Sequence, residues 1–156
     1  MPGARCYPAR GMATGAEMTE FAGGCLCGAV RYSVSGEPVR IAQCHCDDCR
    51  RATGSSFATN VFVKKEDLAV LQGTTKSYEH TADSGNTMTK EFCPECGSQL
   101  FGWSSRGPGL RSIKVGSIDD AGFVEPQIEV FVSRALPFTR HPETTKKFER
   151  MPPPPK

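Results

Sequence analysis

The sequence predicts an all-β domain of small antiparallel sheets cross-linked by metal, and three observations predict it. Short runs alternate apolar and polar residues with period two. Turn signals containing glycine or proline divide these runs at regular spacing. Clustered cysteines then supply the cross-links that small sheets need.

Residues 29–34 (AVRYSV) alternate cleanly, and 39–44, 56–63, 77–80, 87–93, 99–103, 111–117 and 127–133 read likewise. The turns are SGEP at 35–38, QGTT at 72–75, DSGN at 83–86 and RGPG at 106–109. Residues 64–71 are expected to form a single helical turn. Elsewhere no helical period is sustained, and no repeat is visible. Residues 1–20, rich in Gly, Ala and Pro, read as a disordered tail too poor in apolar surface to order itself. Met12 and Met18 are alternative starts within it. Residues 139–156 hold five basic and two acidic side chains and end in a PPPP run, so they read as a solvated, basic, Pro-rich tail. The metal-binding domain is expected over 21–138.

A chain of 156 residues fits one domain. Its net charge of +2, from 19 basic and 17 acidic residues, shows no clustered basic excess, which argues against a nucleic-acid partner. No apolar run approaches the roughly 18 residues that span a bilayer. The N-terminus also lacks the apolar run of about 7–15 residues of a signal peptide. The expectation is a cytoplasmic protein without a membrane partner.

In a reducing compartment, eight cysteines point to metal or thiol chemistry rather than a disulfide framework. Cys44, Cys46 and Cys49 lie within six residues, too close for relaxed bridges with a Cα separation of about 5.5 Å.

Two cysteine pairs suit one structural zinc. GGCLCGAVRY supplies Cys25 and Cys27 before a strand, and EFCPECGSQL supplies Cys93 and Cys96 on a turn. In CPECG the proline fixes the backbone, and the glycine permits a positive φ that turns N–H groups toward sulfur. Four thiolates complete a tetrahedron. A redox C-x-x-C of thioredoxin type should instead open a helix.

QCHCDDCRRATG gathers Cys44, Cys46 and Cys49 as C-x-C-x-x-C. Three protein ligands with a vacant fourth position is the pattern of a catalytic zinc. Three thiolates leave the zinc core at −1, which suits binding an incoming thiol better than hydrolysis. Arg50 and Arg51 are then candidates for a substrate carboxylate. In the competing reading His45 or Asp48 closes the site as an inert clip. In an extended segment, however, His45 points away from its two cysteine neighbours. Asp47 and Asp48 serve equally well as turn caps, and the arginines as solvated charges.

At GGCLCGAVRY, CHCDDCRRATG and EFCPECGSQLF, over about residues 21–138, the chain resembles the glutathione-dependent formaldehyde-activating enzymes, a family that includes the centromere protein V type. The resemblance implies a β-tent of antiparallel sheets. It also implies structural zinc on Cys25, Cys27, Cys93 and Cys96, and active-site zinc on Cys44, Cys46 and Cys49. It implies carbon–sulfur lyase chemistry, the joining of glutathione to formaldehyde as S-hydroxymethylglutathione. Where members often carry a tryptophan near the C-terminus, this chain has Phe138, and the basic N-terminal extension of the centromeric type is absent.

The functional expectation is a lyase with two Zn2+ per chain, acting on glutathione and a small carbonyl compound. The open zinc of Cys44, Cys46 and Cys49 would be its catalytic centre. His80 is a proton-donor candidate by residue type alone. The alternative is a non-catalytic, zinc-stabilised module that binds glutathione or a protein. A chromatin binder is the third reading, and the near-neutral charge opposes it.

Overall fold

Strand alternation sorts the side chains of this chain onto two faces, and the computed structural model, which describes residues 20–152, shows where each face goes. Tyr32 and Val34 point inward from β2 (Arg31–Ser35). This strand lies between β1 (Glu20–Gly24) and β5 (Leu68–Gln72) in a three-stranded antiparallel sheet. A second sheet carries eight strands. Its centre is β3 (Arg40–Cys44), β4 (Ala58–Lys64), β9 (Leu110–Lys114) and β8 (Gln99–Ser104). Outside β8 lie β7 (Thr87–Phe92) and β6 (Lys76–Thr81). Beyond β3 lie β10 (Ile128–Val130) and β11 (Lys146–Phe148).

Residues paired across neighbouring strands share a face. Val61, Ile113 and Phe101 stand in register on β4, β9 and β8, and all three are fully buried. With Phe21, Val30, Tyr32 and Leu100 they fill the space between the two sheets. Tyr32 meets Phe101 edge to face at 5.0 Å between centroids. The opposite face of the large sheet is different. Asn60 pairs with Lys114, Ser112 and Lys90 both pair with Gly102, and the four side-chain-bearing residues are buried although polar.

The all-β class holds, but four expectations need correction. The large sheet is mixed rather than antiparallel, because β10 runs parallel to both β3 and β11. Parallel neighbours need long return connections, and local alternation carries no trace of them. Residues 47–53 form a helix, α1 (Asp47–Thr53), that is too short to show a period. Residues 64–71 form a 3-10 turn over Lys65–Asp67 and then β5, an outward-facing edge strand. Residues 139–152 are not a solvated tail, for they carry β11 and the buried Thr145. The expected tail over 1–20 lies outside the described residues except for Glu20, which opens β1.

Gly23 makes a β-bridge to Ile118 that ties β1 to the loop after β9. A Cβ there would stand 2.2 Å from the Ser117 carbonyl oxygen and 2.3 Å from the Tyr32 hydroxyl oxygen. That hydroxyl is itself committed, at 2.9 Å, to Ser117 Oγ, which donates on to the Lys114 carbonyl. Gly23→Ala is therefore expected to destabilise the fold by about 1–3 kcal/mol through overpacking. A urea midpoint equal to that of the wild type would contradict this contact.

Candidate functional site

Seven cysteines gather into two groups. In each group the sulfur atoms all lie within 4.8 Å of one another. Cys25 and Cys27 sit on the turn between β1 and β2, and Cys93 and Cys96 on the turn between β7 and β8. Gly28 at φ 75° and Gly97 at φ 72° close the two turns in a conformation that a Cβ disfavours. The Sγ atoms of Cys25 and Cys27 are 3.5 Å apart, and those of Cys27 and Cys93 are 3.7 Å apart. A tetrahedral zinc with bonds of about 2.3 Å places its sulfurs about 3.8 Å apart, so this group fits such an ion.

The surroundings act on three of these thiols in different directions. Burial opposes ionisation of Cys25, yet the Val30 N–H, 3.2 Å away, and the neighbouring thiols hold it below its ordinary range. Burial opposes Cys96 too, but the Ser98 hydroxyl and the N–H groups of Ser98 and Cys27 bring it down to about 6. Cys27 accepts the Ala29 N–H but is pushed up to about 12 by burial and its sulfur neighbours.

The other group is Cys44, Cys46 and Cys49. Cys44 ends β3, and Cys46 is the N-cap of α1, where its sulfur accepts the Cys49 N–H at 3.4 Å. One short helix thus places the third sulfur beside the first two, with Cys44 and Cys46 Sγ 3.5 Å apart. Asp47 and Asp48 occupy the first turn of α1 and Arg50 and Arg51 the last, an arrangement that complements the helix dipole.

Charge is distributed unevenly here. Hydrogen bonds from Cys44 and Cys46 bring Cys49 far below its ordinary range despite burial, with help from the charges of Lys114 and Lys90. Cys44 is pushed up by Cys46, Cys49 and burial. Cys46 gains from the Cys44 thiol but rises because Cys49 and burial outweigh it. A cation bound here would displace the thiol protons that remain. Burial pushes Lys114 down while the Cys49 charge opposes this, and its Nζ donates to Asn60 Oδ1 at 2.5 Å.

No fourth His, Cys, Asp or Glu joins this trio among the described residues. His45 is fully buried but faces the other way, with Nε2 2.9 Å from Glu129 Oε2. Asp47 is engaged by Arg50 and lies 3.5 Å from Arg134. Asp48 stands 3.8 Å from His80 Nδ1 on β6. Cys6 lies outside the described residues.

An open cleft of about 880 Å³ runs between the four-cysteine turns, the C-terminal end of α1 and the loop after β9. Cys25 and Cys96 line it, as do Arg31, Asp119, Thr53 and Lys114, whereas Cys44, Cys46, Cys49, Arg50 and Arg51 do not. Arg50 is tied to Asp47, and Arg51 is exposed on α1. Phe138 is 73% exposed and also stands outside the cleft. Lys114 alone among these belongs to both places, lining the cleft and acting electrostatically on the three thiols.

The family model for the glutathione-dependent formaldehyde-activating enzyme matches residues 20–134. The chain belongs to that family. A Penicillium rubens protein named for the same family is 29% identical over 131 residues, which is 79% of this chain and 68% of the relative. A Halomonas elongata protein so named is 34% identical over 101 residues, or 62% and 64% of the two chains. A crystal structure of a Rhodobacter sphaeroides protein matches with a TM-score of 0.50 at 25% identity, covering 62% of this chain and 85% of its own.

Sequence reasoning missed Lys90, Lys114, Glu129 and His141. For Lys114 a signal existed: a lysine two residues after Ser112 in a predicted strand must share its face. The two sulfur groups should respond differently to loss of a ligand. Cys93→Ser is expected to lower metal content and to unfold the domain, since it removes the tie between distant turns. Cys46→Ser should lower metal content by one equivalent while the thermal midpoint stays within about 5 °C. Matching metal loss and matching destabilisation in both variants would contradict this division.

Proposed function

We propose that this protein is a zinc-dependent enzyme that forms or cleaves the carbon–sulfur bond between glutathione and a small carbonyl compound of the formaldehyde kind. The observation that carries the reading is the three-sulfur group without a fourth protein ligand among the described residues. Two ions would be held per chain, one by Cys25, Cys27, Cys93 and Cys96, the other by Cys44, Cys46 and Cys49. When bound at the three-sulfur site, zinc supplies a vacant, sulfur-seeking position and lowers the pKa of a thiol that enters it.

The chain's own residues do the rest. Lys114 and Lys90 offset the negative charge that accumulates on the sulfurs, and their burial makes that attraction stronger than it would be in water. The cleft matches the size of small-molecule sites, about 300–1,000 Å³. Its wall carries Arg31 and Asp119, paired with each other, which offer both charges to a zwitterionic tripeptide. Lys114 stands at the end toward the three thiols, where a carboxylate would steer the tripeptide's sulfur onward. Arg50 and Arg51 lie on α1 outside this path and serve the helix instead.

In the forming direction the glutathione thiol gives up its proton, and its sulfur adds to the carbonyl carbon. The carbonyl π pair moves to oxygen, which takes up a proton, so nothing is oxidised or reduced. Cleavage is the reverse. The names carried by relatives support this class of chemistry, among them a Schizosaccharomyces pombe protein named as a lyase, 27% identical over 84 residues.

The test is turnover of glutathione with formaldehyde, followed as consumption of the free thiol. Cys46→Ser is expected to lower turnover by at least about 100-fold while the fold persists. Cys6→Ser should leave it unchanged. Glutathione binding without turnover in the wild type would identify a binding module instead of an enzyme.

A further inference from the structure

Beyond the two sulfur groups, a third cluster draws His45, Glu129, His141 and Thr145 together from three remote parts of the chain. Register explains half of it. Val130 on β10 pairs with Cys44, Glu129 pairs with Gln43, and the His45 N–H continues the ladder to the Val130 carbonyl at 3.0 Å. Alternation then sends Cys44 to one face of the sheet and Glu129 to the other, where His45 meets it. The remaining half comes from the C-terminal segment. His141 Nδ1 stands 2.5 Å from Glu129 Oε2, and the Thr145 hydroxyl donates to Oε1.

Distances decide what this cluster is. Two ligands held about 2.0–2.1 Å from a tetrahedral zinc stand about 3.3 Å apart. Glu129 Oε2 lies only 2.9 Å from one imidazole nitrogen and 2.5 Å from the other, which are hydrogen-bond separations. The cysteine sulfurs, by contrast, stand at metal-ligand spacing. The side chains of His45 and Glu129 are both fully buried. A carboxylate without water must be satisfied by donors, and the two imidazoles and a hydroxyl satisfy this one. The dependence runs the other way as well. His45 Nδ1 is buried with no partner, so Glu129 is the polar anchor that fixes the ring.

We propose that Glu129 is a positioning residue for the three-thiol site and that residues 139–148 brace that site through it. The proposal rests on the reading of Cys44, Cys46 and Cys49 as a metal centre. Three of its consequences are physical. His45 lies between two ligands, so fixing its ring fixes the backbone that aims Cys44 and Cys46 to the opposite side. A centre with three protein ligands has no fourth side chain to hold its geometry, so the backbone must do so. The segment that follows residue 138 therefore acts on the centre without touching it.

Cobalt(II) substitution of the full-length protein tests this, because thiolate-to-cobalt absorption reports geometry at each sulfur group independently of turnover. The three-thiol contribution is the difference between wild type and Cys46→Ser, and the four-thiol contribution is an internal reference. Glu129→Gln is expected to weaken cobalt and zinc binding at the three-thiol site by about 10–100-fold and to alter its absorption band. The four-thiol band should stay as it is. His141→Ala, at a half-exposed position, should weaken the same site by about a few-fold and carries the test if Glu129→Gln fails to fold. Unchanged affinity and spectrum in both variants overturn the brace. A third metal equivalent lost in His141→Ala overturns it in favour of a metal site. A wild type that takes up only one equivalent overturns the metal reading and the brace with it.

Discussion

Four sulfurs from opposite ends of the fold converge on the seam between the two sheets, and the remaining structure is arranged around that convergence. Sixty-five residues separate Cys27 from Cys93. Closing such a loop costs chain entropy that grows slowly with its length, so a zinc ion held by all four sulfurs, as proposed, would constrain much of the chain at once. The small sheet has few other ties. Its outer strand β5 is mostly exposed, Val70 and Leu71 included. What holds this sheet is Tyr32, Val34, Phe21 and the four-cysteine turns, packed on the apolar face of the large sheet.

Having one face committed to that seam leaves the large sheet's other face for chemistry. Buried strand faces are ordinarily apolar, and burying an ammonium without a partner is strongly unfavourable. Lys90 and Lys114 are nevertheless buried there. Both lysines favour the Cys49 thiolate, and that charge opposes, without cancelling, the effect of burial on Lys114. The same face carries Cys44, since Ala42, Asn60 and Lys114 are aligned across β3, β4 and β9. Polar burial on this side and apolar burial on the other are two results of one alternating pattern.

The sequence makes the sulfur groups legible because ligand spacing is local: C-x-C, C-x-x-C and C-x-C-x-x-C each declare themselves within a few residues. Most strands are legible for the same reason. What fails is whatever depends on a remote partner. The helix α1 spans only Asp47–Thr53, and its cap is a sulfur, not one of the usual oxygen side chains. The strand β11 is read as tail because KKF is basic, and only its pairing with β10 reveals it. Lys114 looks like any strand lysine until Cys49 is placed beside it. Arg50 and Arg51 attract attention by following Cys49 directly in sequence, and they stand in the last turn of α1 without lining the cleft.

The two sulfur groups also differ in what sets their geometry, and this difference follows from the number of their ligands. Four sulfurs on two turns define a tetrahedron by themselves, and the N–H groups of Ala29, Val30 and Ser98 merely favour its charge. Three sulfurs define only the base of one. On the proposed reading the apex is left to the substrate thiol, so the base must be rigid before it arrives. Two independent devices supply that rigidity: the Cys46 sulfur capping α1 on one side of the sheet, and His45 held by Glu129 on the other. They act on adjacent residues and on opposite faces, so between them they fix the direction in which Cys44 and Cys46 point.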